Sequence, residues 1–225
     1  MNKPYIICHM MASLDGRIDC AMTEQIENGE EYYDALSQLS CPTMLMGRTT
    51  MQMHYADGVF VAKDSTPYSQ TGFSVALQTK GYLVAVDTKG TLKWSQNKFD
   101  GQHLVVVTSE KCPKEYLDDL DKKHISWIAV GENSIDLAKA MDILYTEFEV
   151  ERMVVTGGGH INASFLAAGL LDEVSMMYAP GIDGRGGMAA AFDGLPMETK
   201  PTKLQLTSVD KVGEGTVWMR YKVGK

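Results

Sequence analysis

The stretch Val154-Val155-Thr156-Gly157-Gly158-Gly159-His160-Ile161-Asn162 joins a short apolar run to three glycines and then to a helical pattern. Glycine lets the backbone approach a ligand closely because it has no Cβ. The N-terminus of the following helix offers free N–H groups and a partial positive charge. A tight turn without a ligand is the alternative, but three consecutive glycines at this junction favour a phosphate or pyrophosphate cradle. Two common nucleotide motifs do not fit, because Asn162 replaces the last glycine of G-x-G-x-x-G and no Gly-Lys-Ser/Thr follows.

Short apolar runs alternate with helical patterns on both sides of this stretch. The runs predict strands at residues 5–11, 43–46, 82–86, 104–107, 125–130, 152–156 and 174–179. The helical patterns cover residues 30–39, 134–148 and 161–168, with Ser134 as a cap and Gly169 as a stop. Tyr145 is expected on the core face of the second helix. Residues 56–79 are the least regular part of the chain.

The alternation predicts an α/β protein with a mixed, mainly parallel central sheet and helices on both of its faces. Near the C-terminus, Leu204, Leu206 and Val209 alternate with polar residues, and a Gly213-Glu214-Gly215 turn leads to a second alternating run at 217–223. This pattern predicts an antiparallel hairpin that closes the fold. We expect one domain over residues 1–225.

Composition narrows the class of protein. The chain has 225 residues with 44% hydrophobic and 22% charged side chains, which is ordinary for a globular protein. The net charge of −8 and the absence of a Lys/Arg run argue against nucleic acid and anionic membranes as partners. Four cysteines without a C-x-x-C pair indicate reduced thiols. With no stretch of transmembrane length and no signal peptide, we expect a soluble cytoplasmic protein.

Two other predicted strands end in residues that suit phosphate oxygens. Met46-Gly47-Arg48-Thr49-Thr50 places an arginine fork beside two hydroxyls that could cap a helix or donate to an oxyanion. Thr108 and Ser109 follow a strand near Lys111, where they suit the 2′-phosphate of an adenosine. A surface ion pair and an ordinary helix cap are the plain alternatives. Because ligands of parallel sheets bind at the carboxyl ends of strands, the three strand ends together predict an extended phosphorylated cofactor.

The first strand ends in Ser13-Leu14-Asp15-Gly16-Arg17-Ile18, which exposes Ser13 and Asp15 in a turn. A carboxylate there could bind an N–H of a heterocycle or relay a proton. From spacing alone, an Asx-turn that satisfies its own backbone is the favoured interpretation. The five histidines form no zinc motif, and no G-x-S-x-G element is present. We therefore expect no metal and no serine-hydrolase chemistry.

Taken together, these stretches resemble the reductase domain of riboflavin biosynthesis, which is the C-terminal half of the bifunctional deaminase-reductase in the dihydrofolate-reductase-like superfamily. Nearly the whole chain shares the resemblance. The residues that carry it are the 13–18 turn, the 46–50 strand end, Thr156-Gly157-Gly158-Gly159 with Asn162, Ser164-Phe165-Leu166, Gly169-Leu170, Leu171-Asp172-Glu173, Tyr178-Ala179-Pro180, Gly184, and the strand 217–221.

The resemblance implies an NADPH-dependent oxidoreductase that reduces a ribosylamino-pyrimidine phosphate to its ribitylamino form, like 5-amino-6-(5-phosphoribosylamino)uracil reductase. It implies a homodimer. It further implies that NADPH is bound by Gly47, Arg48, Thr49, Ser109, Gly157, Gly158 and Gly159. The adjoining hydroxyls of Thr50, Thr108 and Thr156 are further candidates for binding the cofactor. Ser13 and Asp15 would lie by the nicotinamide and the substrate, with Asp15 as the candidate catalytic residue.

Two departures from the family pattern concern the substrate. Members usually carry Asp-Asp-Pro soon after the Gly-x-x-Thr element, whereas residues 51–58 here read Met-Gln-Met-His-Tyr-Ala-Asp-Gly. Many also have Glu before the glycines, where this chain has Thr156. A reductase acting on dihydrofolate or another pterin is therefore an alternative, for which Glu30, Glu31 and Asp34 are acidic candidates. A nucleotide-binding module without catalysis is a second alternative.

Overall fold

A computed structural model describes residues 2–26 and 29–224. In chain order its elements are β1 (Tyr5–Ser13), α1 (Cys20–Ile26), α2 (Glu30–Gln38), β2 (Thr43–Gly47), α3 (Arg48–His54), β3 (Gly72–Ser74), β4 (Tyr82–Val86), β5 (Lys98–Phe99), β6 (Gln102–Thr108), α4 (Lys114–Lys122), β7 (Ser126–Ala129), α5 (Leu137–Thr146), β8 (Arg152–Val155), α6 (Gly159–Ala167), β9 (Glu173–Ala179), β10 (Leu204–Val212) and β11 (Thr216–Val223). They fall into two compact units, and the expectation of one domain stays a prediction.

The first unit consists of Pro42–Met153 together with the N-terminal residues up to Pro4. Its strands lie in the order β2-β4-β6-β7-β3. The first four are parallel, whereas β3 is antiparallel to β7 and the short β5 is antiparallel to β6. Every residue of β4 is buried, as expected for the apolar run of a central parallel strand. The buried cluster around it includes Trp94, Tyr116 and Leu120.

The second unit consists of Tyr5–Cys41 and of the chain from Val154 onward. Here β1 and β9 are parallel, β9 and β11 are antiparallel, and β10 completes the hairpin with β11. Among the described residues, β10 is therefore an edge strand that pairs with β11 alone. Because β1 and β9 are parallel and Ser13 is level with Ala179, the chain leaves both strands at the same edge of the sheet.

The sequence-based fold is largely confirmed. All seven predicted strands are present with boundaries within two residues, and the mixed, mainly parallel α/β arrangement and the C-terminal antiparallel hairpin are as expected. The cap of α5 was wrongly predicted, because Asp136 rather than Ser134 accepts the hydrogen bond from Lys139 N. Tyr145 is 41% exposed and does not belong to the core. The elements α1, α3, α4, β3 and β5 were not predicted.

Candidate functional site

The glycine turn begins where β8 ends, and each of its three glycines has a different environment. Gly157 has φ +103°, a left-handed conformation that favours glycine, and a Cβ there would lie 3.1 Å from Met10 Cε. Gly159 is the first residue of α6, and a Cβ there would lie 2.2 Å from the carbonyl oxygen of Ala190. Gly159 is therefore required by packing. The peptide bond between Gly157 and Gly158 is cis.

Gly158 is the open glycine of the turn. It is the N-cap of α6, with φ −75° and ψ −170°, and apart from its two chain neighbours no atom of the described residues lies within 4 Å of where its Cβ would be. No side chain in the described residues caps this helix. Ile161 N and Asn162 N donate to Gly158 O, whereas the N–H groups of Gly159 and His160, at the very start of the helix, have no intrahelical acceptor. Thr156 Oγ1, just before the glycines, is buried without a hydrogen-bond partner among the described residues. This combination fits the diphosphate of a dinucleotide, because a phosphate can approach the backbone where a side chain would block it.

Ser13 and Asp15 form the tight turn that follows β1. Ser13 is fully buried, and its Oγ donates to Asp15 Oδ1 over 2.7 Å and accepts from Arg17 N. The Asp15 carboxylate also accepts from the backbone N–H groups of Asp183 and Gly184, each over 3.0 Å. The Ser13 hydrogen bond, followed by these two backbone donors, lowers the pKa of Asp15 to about 2. Near neutral pH the carboxylate is ionised and has no proton to donate.

Residues 181–193, which we call the strap, connect this turn to the glycine turn. Leu14 N donates to Gly181 O, and the guanidinium of Arg17 donates to Met188 O over 2.8 Å. At the other end, Asn162 Nδ2 donates to Ala191 O over 2.7 Å, and Asp193 N donates to Gly159 O. Within the second unit, the strap thus brings the predicted Ser13/Asp15 and Gly157–Gly159 residues to one end of the sheet.

Sequence reasoning assigned no role to the strap. Arg185 lies at its tip and pairs with Asp183 and Asp19, which fastens the tip to the segment after β1. The one sequence signal for this region is the run Gly184-Arg185-Gly186-Gly187, in which three glycines surround a cation. Such a run marks a loop of unusual conformation, but it does not say which part of the chain the loop contacts.

In the first unit, the predicted phosphate residues lie at the carboxyl ends of parallel strands. Gly47, at the end of β2, is level with Val86 of β4, which is in turn level with Val107 of β6. Arg48 is exposed at the start of α3, where Nη1 donates to Gln52 Oε1 over 2.7 Å. In the described part of the chain Arg48 has no carboxylate partner, so the guanidinium is available to an anion.

The threonines after Arg48 do not cap a helix. Gly47 occupies the N-cap position of α3 without any side-chain hydrogen bond, so Thr49 and Thr50 belong to the first turn. Thr49 is exposed and Thr50 is half-buried. Their backbone N–H groups belong to the set that has no intrahelical acceptor. The expected cap was wrong, whereas the hydroxyls stay candidates for an anion.

The hydroxyls of Thr108 and Ser109 already form hydrogen bonds within the first unit. Both are buried and donate to the carbonyl oxygen of Thr88, over 3.2 Å and 2.8 Å. Neither hydroxyl therefore has its proton free for a phosphate oxygen in this arrangement. Lys111, expected nearby as a phosphate ligand, contacts Asn133 Oδ1. Binding of a 2′-phosphate at these residues stays a prediction and requires these hydrogen bonds to rearrange.

Comparison with known proteins gives a consistent result. The RibD C-terminal domain family matches residues 4–218. The chain is 26% identical over 201 residues to the 2,5-diamino-6-ribosylamino-4(3H)-pyrimidinone 5′-phosphate reductase of Methanothermobacter thermautotrophicus, with 85% of each protein covered. It is 24% identical over 218 residues to the protein of that name from Archaeoglobus fulgidus, with 95% of each covered. A pyrimidine reductase-like protein from Corynebacterium diphtheriae has the same fold, with a TM-score of 0.74 at 16% identity over 99% of this chain and 92% of the other.

Proposed function

This chain belongs to the RibD C-terminal domain family, and on that premise we propose that it is an NADPH-dependent reductase of a ribosylamino-pyrimidine 5′-phosphate. Membership makes it an oxidoreductase of riboflavin biosynthesis. The two curated relatives are named for a diamino-pyrimidinone phosphate. We propose the diamino-pyrimidinone phosphate, rather than the corresponding amino-uracil phosphate, as the substrate, because the chain aligns with these relatives over most of its length.

The observation that carries the cofactor assignment is the open backbone at Gly158. A dinucleotide diphosphate presents only acceptor oxygens, and the start of α6 presents the N–H groups of Gly159 and His160, which have no intrahelical acceptor, beside a position without a side chain. Thr156, whose hydroxyl has no hydrogen-bond partner in the part of the chain that the structure describes, adds a further group able to donate. In this proposal Gly157 and Gly159 shape the turn, whereas Gly158 makes the contact.

Within the first unit, considered by itself, we propose a set of residues that bind phosphate groups of NADPH. The guanidinium of Arg48, which donates to Gln52 but has no carboxylate partner among the described residues, suits a phosphate oxygen. Gly47, Thr49 and Thr50 present backbone N–H groups at the start of α3. Thr108 and Ser109 are retained as weaker candidates because their hydroxyls donate to Thr88 O. When bound, NADPH supplies the hydride, and the chain contributes position and exclusion of water.

The role proposed for Asp15 is positioning and substrate binding, not proton donation. Its carboxylate holds the strap through Asp183 N and Gly184 N, and a group with a pKa of about 2 stays ionised through the neutral range. An exposed carboxylate with a fixed orientation can accept a hydrogen bond from a ring N–H or an amino group of a pyrimidine. The hydrogen bond from Ser13 Oγ to Asp15 Oδ1 fixes that orientation.

We also propose a homodimer, on the ground that β10 is an exposed edge strand with apolar side chains. No helix in the described part of the chain is long and apolar enough to cross a membrane. The four cysteines form no disulfide, which agrees with the reduced thiols expected from the sequence. A cytoplasmic location stays a prediction.

The proposal is tested by following the loss of NADPH absorbance with three substrates: the diamino-pyrimidinone phosphate, the corresponding amino-uracil phosphate and dihydrofolate. We expect turnover with a pyrimidine phosphate and none with dihydrofolate. Turnover with dihydrofolate alone would establish the pterin alternative. Tight NADPH binding without turnover on any of the three would contradict the reductase proposal in favour of a nucleotide-binding module.

A further inference from the structure

Asp15 and Arg17 carry opposite charges on one tight turn and do not pair with each other. Hydrogen bonds from Ser13 N to Arg17 O over 2.9 Å and from Gly16 N to Ser13 O over 2.8 Å close the turn. Arg17 N also donates to Ser13 Oγ over 3.1 Å. In the described part of the chain no ion pair joins the Asp15 and Arg17 side chains. The turn therefore presents a carboxylate and a guanidinium that do not neutralise each other.

The guanidinium of Arg17 has one edge without acceptors. Its Nη1 donates to Met188 O of the strap over 2.8 Å. Nε is buried and has no hydrogen-bond partner, and Nη2 has none among the described residues either. Nε and Nη2 form one side of the planar guanidinium, where two N–H donors point in parallel. This side, which we call the open edge of Arg17, is where the side chain can still bind an anion.

The strap holds Arg17 in place, so the open edge is a feature of the fold. The backbone of Arg17 forms an isolated antiparallel bridge with Ala190, and Ile18 N donates to Ala189 O over 3.2 Å. Together with the hydrogen bond from Nη1 to Met188 O, these contacts fix both the backbone and the end of the side chain. Arg17 therefore cannot turn toward a carboxylate elsewhere without breaking them.

The other arginines of the second unit each have a carboxylate partner. Arg185 pairs with Asp183 at the tip of the strap, and Arg220 pairs with Glu173. For Arg17, the salt bridges of the described residues include none. Its positive charge thus differs from theirs in having no contacting carboxylate to compensate it.

A phosphate group matches what the open edge lacks. Leaving a buried N–H without an acceptor costs free energy, because in the unfolded chain that group is hydrogen-bonded to water. Such an orphaned donor in a folded protein requires an explanation, and a missing ligand is one. Two oxygens of a phosphate have the spacing of two parallel N–H groups of arginine, and this bidentate pairing is one of the strong contacts of proteins.

We infer that the open edge of Arg17 binds the 5′-phosphate of the substrate. This assignment depends on the proposed function, in which Asp15 binds the pyrimidine of the same molecule. The cofactor diphosphate has the same chemistry, but it already has donors at the Gly158 turn, whereas no residue has yet been assigned to the substrate phosphate. One turn then recognises both ends of the substrate, with a carboxylate for its N–H groups and a guanidinium for its phosphate.

Access to the open edge requires a local movement, because Nε is shielded from solvent. The tip of the strap is a segment that can move. Residues 184–187 are exposed, and a Cβ at Gly186 or Gly187 would meet nothing within 4 Å. Ion pairs of Arg185 rather than packing hold this tip, and exposed ion pairs contribute little to stability. A phosphate that binds Arg17 therefore displaces only weakly held chain.

The test compares two ligands and two matched arginine substitutions. By calorimetry we measure the Kd of the diamino-pyrimidinone ribosylamino 5′-phosphate and of the same compound without its phosphate, in the presence of NADP+ so that no reduction occurs. Arg17→Gln keeps an amide that can donate to Met188 O. It is expected to weaken binding of the phosphate about 10- to 150-fold, the loss of hydrogen bonds to a charged group, and to leave binding of the other compound within about two-fold.

Arg185→Gln is the matched control. It removes an arginine that also contacts the strap but already has carboxylate partners. We expect it to change the two affinities in the same proportion, so that the preference for the phosphorylated compound is that of the wild-type protein. Thermal unfolding of each variant checks that it is folded.

A wild-type protein that binds both compounds equally would overturn the inference, as would an Arg17→Gln protein that keeps the wild-type preference. Weaker binding of NADP+ with that preference retained would do so too, because it would assign Arg17 to the cofactor. If the glutamine protein fails to fold, Arg17→Lys is expected to show an intermediate preference, since lysine keeps the charge without the fork. Turnover of the wild-type protein, measured separately, distinguishes failure of the reductase proposal from failure of this assignment.

Discussion

Substituting alanine separately at Gly158 and Gly159 distinguishes a ligand-binding glycine from a packing glycine. At Gly159 the new Cβ would lie 2.2 Å from Ala190 O and 3.3 Å from Asp193 Cβ, so the strap must shift. Overpacking of this kind costs about 1–3 kcal/mol, which lowers Tm by roughly 2–12 °C in a chain of this size. At Gly158 the Cβ meets nothing within 4 Å and φ is −75°. We therefore expect Gly158→Ala to change stability by less than about 0.5 kcal/mol.

Gly159→Ala should lose more stability than Gly158→Ala, whereas Gly158→Ala should lose more affinity for NADPH. A methyl group at Gly158 keeps a phosphate away from the N–H groups of α6. Losing one or more hydrogen bonds to a charged group costs about 1.5–3 kcal/mol, which is roughly a 10- to 150-fold rise in Kd. Fluorescence titration with NADPH and thermal unfolding of both variants provide the measurement. Wild-type affinity in a folded Gly158→Ala protein would refute the assignment, as would a Gly159→Ala protein of unchanged stability.

Three further predictions follow from named contacts. Arg48→Ala should weaken NADPH binding roughly 10-fold, the loss of one charge-assisted hydrogen bond, whereas Gln52→Ala, which removes the present partner of Arg48, should leave titrations unchanged. Asp15→Asn should lower Tm at neutral pH, because the pKa of Asp15 in the folded state lies below its ordinary 3.8 and the ionised carboxylate therefore stabilises the fold. This stabilisation is present above pH 3.8 and is lost as pH falls toward about 2. The Tm values of the wild-type protein and the variant should converge there. Burial lowers the pKa of His9 from 6.5 to about 4, so between these pH values the unfolded state is protonated at His9 and the folded state is not. The free energy of unfolding should therefore fall by about 3 kcal/mol as pH drops through this window. The same pH dependence in His9→Phe would contradict this.

Local pattern was sufficient for the strands and for the hairpin. The strand β4 is a run of five apolar residues and is buried throughout, and the alternation on either side of Gly213 predicted the pairing of β10 with β11. The glycine turn was also visible, because three glycines between a strand and a helix leave few alternatives. In each of these cases the signal lies in neighbouring stretches of the chain, where hydrophobic periodicity is informative.

Long-range hydrogen bonds account for what the sequence did not reveal. Asp15 accepts hydrogen bonds from the backbone N–H groups of Asp183 and Gly184, which lie far along the chain. No local sequence pattern predicts these hydrogen bonds or the lowered pKa of Asp15 that results from them. Nor did spacing distinguish Gly158 from Gly159, which differ because the strap passes over one of them. The helix α4 was missed because its sequence is mostly charged and buries only Tyr116, Leu117 and Leu120.

The bulge at Thr207 illustrates a further limit. In a regular strand, Leu206 and Val209 would lie on opposite faces, because residues three apart point to opposite sides of a sheet. One extra residue in β10 changes the side on which every preceding side chain points relative to those that follow. The spacing of these residues in the sequence does not show the bulge, so the side to which each of them points follows only from the register.

The central claim is that hydride passes from NADPH to a pyrimidine phosphate held by this chain. The most direct measurement uses NADPH that carries deuterium at both C4 positions of the nicotinamide, with mass spectrometry of the product. We expect a single deuterium on the first ribityl carbon and stoichiometric conversion of the cofactor to NADP+. Product without deuterium, or oxidation of the cofactor with no reduced pyrimidine formed, would contradict it.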